Sequence, residues 1–323
     1  MKGSEVIKLL HSYKNGNYNV SIYDDGTKVR ETEDDEFIAD FPENIDIKIS
    51  NKCDLGCPMC HENSTKDGEN AKFNQEFLWS LRKGTELAIG GGNVLENPNL
   101  IGFLAFCKRR GIIANLTINL SHAHDWYNGE FTLDEIISRD LVNGIGISYN
   151  GNAWELEEYY SNLTKVYSWE RGCSPLRKKA FNNTVIHVIN GVQSFDDLSA
   201  IASTDRKILI LGYKDVRRGI GYRKENDEAI KSNQKSIYNN LDKILTMFKV
   251  VSFDNLAIEQ LDVKRLLPQE KWEEFYMGDD GMHTMYIDLV KEKFSLNSCD
   301  TKNRYDLLPT IDEMFAVVKG MKK

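Results

Sequence analysis

The sequence predicts an α/β protein, a partial (β/α)6-type TIM barrel with an N-terminal hairpin extension and a C-terminal α+β appendage, and three observations predict it. Six short apolar runs recur between residues 45 and 213, segments carrying helix signals separate them, and the unusual polar and glycine residues follow the runs. Buried parallel strands read as near-continuous apolar runs, and each parallel return needs a crossover, so this alternation favours a parallel sheet. In such barrels the site lies at the C-terminal ends of the strands, where those unusual residues fall.

Taken in order, residues 18–32 read as a hairpin: "NVSIY" and "TKVRET" joined at Asp25-Gly26, followed by the solvated acidic run "ETEDDE". "IDIKIS" (45–50) is the first barrel strand and leads into a cysteine loop. A helix over 74–83 ends at Gly84, and "ELAIGGGN" (86–93) is the second strand. Asn97-Pro98 starts the next helix, which stops before Gly111. "IIANLTINL" is the third strand, Thr132 and Glu135 form a capping box, and "NGIGISYN" (143–150) is the fourth strand. "TVIHVING" (184–191) is the fifth, Ser194 and Asp197 cap a helix, and "KILILGY" (207–213) is the sixth. A long helix at 228–248 and a seventh strand, "NLAIEQL" (255–261), continue the pattern. The last stretch reads as a helix, a strand pair near "MYIDLVKEKFSL" and a helix capped at Thr310. The implied domains are 1–43, 44–265 and 266–323.

Composition sets the chemical context. At 41% hydrophobic and 28% charged, the 323 residues suit a soluble globular protein. Neither a signal-like start nor an apolar stretch of about 20 residues is present, which predicts a cytoplasmic protein with no membrane contact. Thiols stay reduced there, so clustered cysteines read as metal or redox groups. The net charge of −8 argues against bulk nucleic-acid binding.

"NKCDLGCPMCHEN" (51–63) places Cys53, Cys57 and Cys60 within eight positions. Four chemistries use such a loop. Cys57 and Cys60 fit a C-x-x-C redox pair, and with His61 they fit covalent haem attachment; neither uses Cys53. Zinc asks for a fourth ligand, and His61, adjacent to Cys60, is the nearest candidate. A [4Fe–4S] cluster explains three thiolates best, because the fourth iron then remains open to a substrate or cosubstrate. Cys107, Cys173 and Cys299 are scattered singly, so one cluster is expected.

With that spacing after the first barrel strand, "CDLGCPMC" resembles the C-x3-C-x2-C of the radical SAM superfamily, over about residues 44–215. The resemblance implies that Cys53, Cys57 and Cys60 ligate a [4Fe–4S] cluster whose open iron chelates S-adenosylmethionine. Reductive cleavage would then give methionine and a 5′-deoxyadenosyl radical that abstracts hydrogen from a substrate. It further implies that Gly90, Gly91, Gly92 and Asn93 meet the methionyl amino group, with Asn93 standing where the family has Glu. Ser148 and Asn150 become ribose contacts. In strand five Ile189 and Gly191 match part of the family's I-x-G, while His187 and Ser194 occupy the places of its outer Gly and Glu. Met59 replaces the aromatic residue usual before the third cysteine. An electron donor such as flavodoxin or ferredoxin is implied as a partner.

Other polar groups have two readings each. Lys214, Arg217 and Arg218, just past strand six, could receive the cosubstrate carboxylate or an anionic substrate, or form a solvated face. His122 and His124 could shuttle protons at the barrel mouth or sit in a plain loop. His187 reads as a core histidine, Cys107 as core packing, and Cys299 as a hydrogen-atom donor if the appendage folds over the mouth. Glu259 and Asp262 on strand seven could face the cavity. The substrate, a protein, peptide or nucleotide-type metabolite, is not written in the sequence. "CPMCHEN" also resembles the C-H-N that follows the third cysteine in glycyl-radical activating enzymes, and a non-enzymatic zinc or electron-transfer protein is the rival of another class.

Overall fold

The computed structural model describes residues 7–127, 132–164 and 174–321; the side chains of 124–127 are outside the description, and Cys173 lies outside the described residues. Three strands, β1 (Leu9–Asn15), β2 (Tyr18–Tyr23) and β3 (Lys28–Glu31), form a small antiparallel sheet. The predicted hairpin is β2 and β3, turning where Gly26 takes φ 92°. β1 escapes a reading based on apolar alternation because it is largely polar; its signal is Gly16-Asn17, the two-residue turn between Asn15 and Tyr18.

The ten-stranded main sheet contains β4 (Asn44–Ser50), β5 (Glu86–Gly91), β6 (Ile113–Asn119), β7 (Gly144–Ser148), β8 (Thr184–Ile189), β9 (Ser203–Leu211), β10 (Phe248–Phe253), β11 (Thr284–Asp288), β12 (Lys293–Ser295) and β13 (Tyr305–Asp306). Its order is β10-β9-β8-β7-β6-β5-β4-β11-β12-β13, parallel from β10 to β11 and antiparallel thereafter. The six predicted runs are β4 to β9. The predicted strand pair in the last stretch is β11 and β12, but it extends the main sheet because β11 pairs with β4. Among the described residues no strand ladder closes the sheet into a barrel. Side chains bridge its ends instead: Asn255 and Asn297 both donate to Asp280, and Lys214 donates to Ser298.

The helices are α1 (Leu100–Arg110), α2 (Thr132–Ser138), α3 (Ala153–Thr164), α4 (Pro175–Asn182), α5 (Phe195–Ala200), α6 (Arg218–Asn239), α7 (Leu241–Met247), α8 (Asn255–Leu261), α9 (Gln269–Phe275) and α10 (Ile311–Gly320). The caps predicted at Ser194 and Thr310 are present, each as a capping box, and Gly111 ends α1 with a left-handed φ of 69°. None of these helices is long and apolar enough to cross a membrane.

Four expectations need correction. "NLAIEQL" is α8, not a strand: Asp254 caps it by accepting from Ala257 N at 2.7 Å, and Ala257 and Leu261 bury one helical face. Glu259 and Asp262 therefore sit on that helix and in its left-handed C-cap. The true seventh strand is β10, whose β-branched "FKVVSF" was partly absorbed into the predicted 228–248 helix; that helix follows a kink at Asn226 within α6, is preceded by a further helical stretch from Arg218, and breaks at Asn240. The 74–83 segment contains only a 3₁₀ helix, Glu76–Ser80, since burying the adjacent Phe77 and Leu78 together with Leu81 overrides local propensity. α1 begins after Asn99, because the Asn97 carboxamide is spent on the Ile49 and Ala71 carbonyls.

The small sheet underlies the N-terminal ends of the parallel strands. Glu43, fully buried just before β4, takes two hydrogen bonds from Arg30 at 2.9 and 3.1 Å, an ion pair from Lys28 at 3.2 Å and the Tyr18 hydroxyl. Its backbone joins the starts of β5 and β11 through Glu86 N and His283 O. Further along, the hairpin turn reaches Asn183 and Lys207 below β8 and β9.

Burial pushes the Glu43 carboxyl up, but Lys28 and Arg30 outweigh it and hold it below the usual range. A depressed folded pKa gives stability that is present above the unfolded value of about 4.3 and is lost as pH falls through the folded value. Glu43→Gln should therefore cost about 3–5 kcal/mol at pH 7 in urea unfolding, since it strands buried cations, and the variant should lose less stability than the parent on acidification below about pH 4.

Candidate cofactor site at the strand ends

β4 alternates sharply. Ile45, Ile47 and Ile49 are buried on the helix side, which leaves Asp46, Lys48 and Ser50 on the other, inner face. Beyond Ser50 the chain opens into the cysteine loop, which folds back on itself: Cys53 N donates to Thr65 O, Thr65 N to Asn51 O, and Ala71 N to Ile49 O, at 2.8 to 3.0 Å. Within it, Gly56 takes φ 59° and Cys60 N closes a turn on Cys57 O. Cys53, Cys57 and Cys60 are half-buried free thiols near enough for charge on one to disfavour charge on another. Burial pushes the Cys53 and Cys57 thiols up, so a metal must displace their protons.

The triple glycine packs against this loop. A Cβ on Gly91 would lie 2.3 Å from Ser50 O, and one on Gly92 2.1 Å from Lys52 O, whereas at Gly90 the nearest atom is at 3.8 Å. Gly92 N and Asn93 N donate to Ser50 O and Lys52 O, stitching the ends of β4 and β5 together. Asn93 is buried; its carbonyl caps a short 3₁₀ turn at Leu95 N and its amide donates to Glu96, which pairs with Lys52.

A second set of contacts converges on Glu62, which sequence reasoning overlooked. This buried carboxylate pairs with Lys48 at 3.0 Å and Arg217 at 3.6 Å and accepts from the Tyr286 hydroxyl at 3.1 Å; Asp288 backs Lys48 at 3.6 Å. Burial alone would raise its pKa, but His61 and Lys48 hold it far below the usual carboxylate range. Arg217 also donates to His61 O, Arg218 to Ser64 O at 2.8 Å, and Lys214 to Ser298 Oγ at 2.9 Å, with His61 Nε2 at 3.5 Å. The three cations past β9 are thus fastened largely to the cysteine loop, and Arg217 adopts the left-handed φ of 49° to do so.

Another pair flanks the loop. His122, buried after β6, bonds Asp54 at 2.8 Å, and ligand atoms of Cys53, Asp54 and His122 lie within 4.8 Å of one another. At the next strand ends, Ser148 is half-buried, while Asn150 bonds Ser121 and Glu155. Ile189 N donates to the Gln193 carboxamide. His187 is not a core histidine: it is half-exposed on the inner face, over Gly146 and near Thr117. Cys299 follows Ser298 and senses the charge of Lys214, whereas Cys107 is core packing in α1. The structure therefore gathers the thiols, the glycines and the basic trio, and leaves Ser148, Asn150 and Ile189 on strand ends further along. Charged residues alternating with isoleucines in "IDIKIS" were the signal for Asp46 and Lys48.

No family model matches the sequence, and neither does any curated protein. The fold does have solved counterparts. Streptococcus suis SuiB bound to S-adenosylmethionine superposes with a TM-score of 0.55 at 12% identity, covering 88% of this chain and 68% of that one. SuiB bound to the precursor peptide SuiA gives 0.54 at 13% identity, covering 88% and 67%. The shared fold agrees with the partial barrel read from the strand order.

Three substitutions test the loop's support. Gly92→Ala should displace the loop and change the rate at which a maleimide labels its three thiols severalfold, while Gly90→Ala keeps the parental rate; equal rates in both would refute the packing role. Glu62→Gln leaves Lys48 and Arg217 short of a partner in a buried site and should destabilise the chain by about 3–5 kcal/mol in denaturant titrations.

Proposed function

We propose that the chain is a radical SAM enzyme: Cys53, Cys57 and Cys60 ligate one [4Fe–4S] cluster, and S-adenosylmethionine binds beside it. The observation that carries this reading is the set of three half-buried free thiols at the C-terminal end of a parallel strand, against which two glycines press the neighbouring strand. The donor set fits the cluster, because three thiolates complete three irons and leave the fourth open. When bound, the cluster supplies the electron, received from a donor such as flavodoxin or ferredoxin, that cleaves S-adenosylmethionine to methionine and a 5′-deoxyadenosyl radical.

The chain's own residues set the surroundings of that chemistry. Gly90 to Gly92 let backbone approach without Cβ atoms, and Ser148, Asn150 and Ile189 offer polar and apolar contacts for a nucleoside. Asn93, with both ends of its carboxamide engaged, shapes the turn and leaves backbone carbonyls to meet an ammonium. Lys214, Arg217 and Arg218 lock the loop, a role their contacts support better than reception of an anion. The SuiB structures with S-adenosylmethionine and with a precursor peptide favour a peptide or protein segment as substrate.

A mononuclear cation on Cys53, Asp54 and His122 is the second reading, since those ligand atoms already cluster. Anaerobic reconstitution separates the two. The parent should hold about four iron and four sulfide per chain, each cysteine-to-alanine variant should lose the absorbance, and dithionite with S-adenosylmethionine should yield 5′-deoxyadenosine. One retained zinc with no 5′-deoxyadenosine would decide for the alternative.

A further inference from the structure

We propose that the inner face of the parallel sheet, below the cysteine loop, binds a cationic group of the substrate, an ammonium or guanidinium, through the carboxylate of Asp46. Calling that molecule the substrate rests on the reading above; the binding site itself does not.

Asp46 lies in the middle of β4, flanked by Ala88 of β5 and Tyr286 of β11. Its neighbours Ile45 and Ile47 are buried, yet Asp46 is exposed. A side chain in an interior strand stays exposed only if the face it points from opens onto space. Small residues on the same face supply that space: Ala88 and Gly90 on β5, and Gly144 and Gly146 on β7, in register with Asn115 and Thr117 of β6.

Asp46 accepts no hydrogen bond and joins no ion pair among the described residues, so its carboxylate is free to receive a ligand from the open side of the sheet. The nearby cations are occupied. Lys48 serves Glu62 and Asp288, Lys214 is held by Ser298 beside His61, and Arg217 and Arg218 hold the loop. Asp254 and Asp280, which act on Asp46 through space, are satisfied by neutral donors that leave their charge uncompensated: the Gly212 and Ala257 amides for one, Asn255 and Asn297 for the other. Three carboxylates thus face one ammonium, Lys214, and an entering cation reduces that imbalance whereas an anion worsens it.

Although solvent reaches it, desolvation by the protein packed around that face, helped by Asp280, Asp254 and Glu62 and opposed by Lys214, pushes the Asp46 carboxyl up to about 6, so it is ionised at pH 7.5. Further along the same sheet, on β8, desolvation and Lys214 bring His187 down to about 4, so it is a neutral hydrogen-bonding group beside Thr117. The chamber therefore offers one anionic anchor and a neutral polar wall for the rest of the ligand.

Agmatine, which carries both cation types, is the probe, titrated calorimetrically into the anaerobically reconstituted full chain at pH 7.5. Agmatine should bind the parent at least tenfold more tightly than it binds Asp46→Asn, and citrate should not bind the chamber. No agmatine binding to the parent, a loss under tenfold in the variant, or binding of citrate in its place overturns the proposal. If Asp46→Asn does not fold, the parent alone decides: butylguanidine must bind and its neutral counterpart butylurea must not. Iron and 5′-deoxyadenosine measured on the same samples report the cofactor site separately. Agmatine binding without iron leaves this proposal standing and removes the earlier reading, and iron without agmatine binding does the reverse.

Discussion

The cysteine loop is long and carries little regular structure, and its shape depends on one buried carboxylate. Glu62 draws Lys48 from β4, Tyr286 from β11 and Arg217 from the turn after β9 onto a single point. Such a network is stabilising only when each member is satisfied, because a lone buried charge costs several kcal/mol. The consequence is positional. A loop between two strands would otherwise fray, but here its far end is fixed from three directions while the thiols at its near end stay half-buried.

Glu43 plays the complementary part at the opposite end of the strands. It joins the starts of β4, β5 and β11 to the small antiparallel sheet, so the open sheet has a floor. The two glutamates lie beyond either end of β4, one before Asn44 and one in the loop that follows Ser50. The inner face between them is where polar residues alternate with the buried isoleucines, and where Asp46 stays exposed.

Much of this was legible in the sequence. β4 to β9, two capping boxes and the glycine stop of α1 follow from apolar runs and end signals, which are local. The thiol triad was legible because its spacing is local too. What escaped was set by distance along the chain. The ladder between β4 and β11, the contacts of Arg217 with the loop and the Glu62 network join segments more than 150 residues apart, and no window of sequence contains them. α8 was misread for a different reason: a seven-residue apolar run fits either period, and the arbiter was the cap at Asp254, one residue outside it. His187 was misjudged because a strand in a curled parallel sheet has an inner face that is not core.

β11 has one more consequence, in the order of synthesis. Tyr286 stands 224 residues after the Glu62 it contacts, so the chain leaves the ribosome with every thiol of the loop present long before the strand that completes its support. Contacts of such sequence separation form late, after the local βα units have collapsed. The nascent protein thus passes through a stage in which the loop rests on β4, β5, His122 and the arginines after β9 while Glu62 still lacks its contact with Tyr286. The loop is therefore completed in steps, and the order of those steps is a property of the topology.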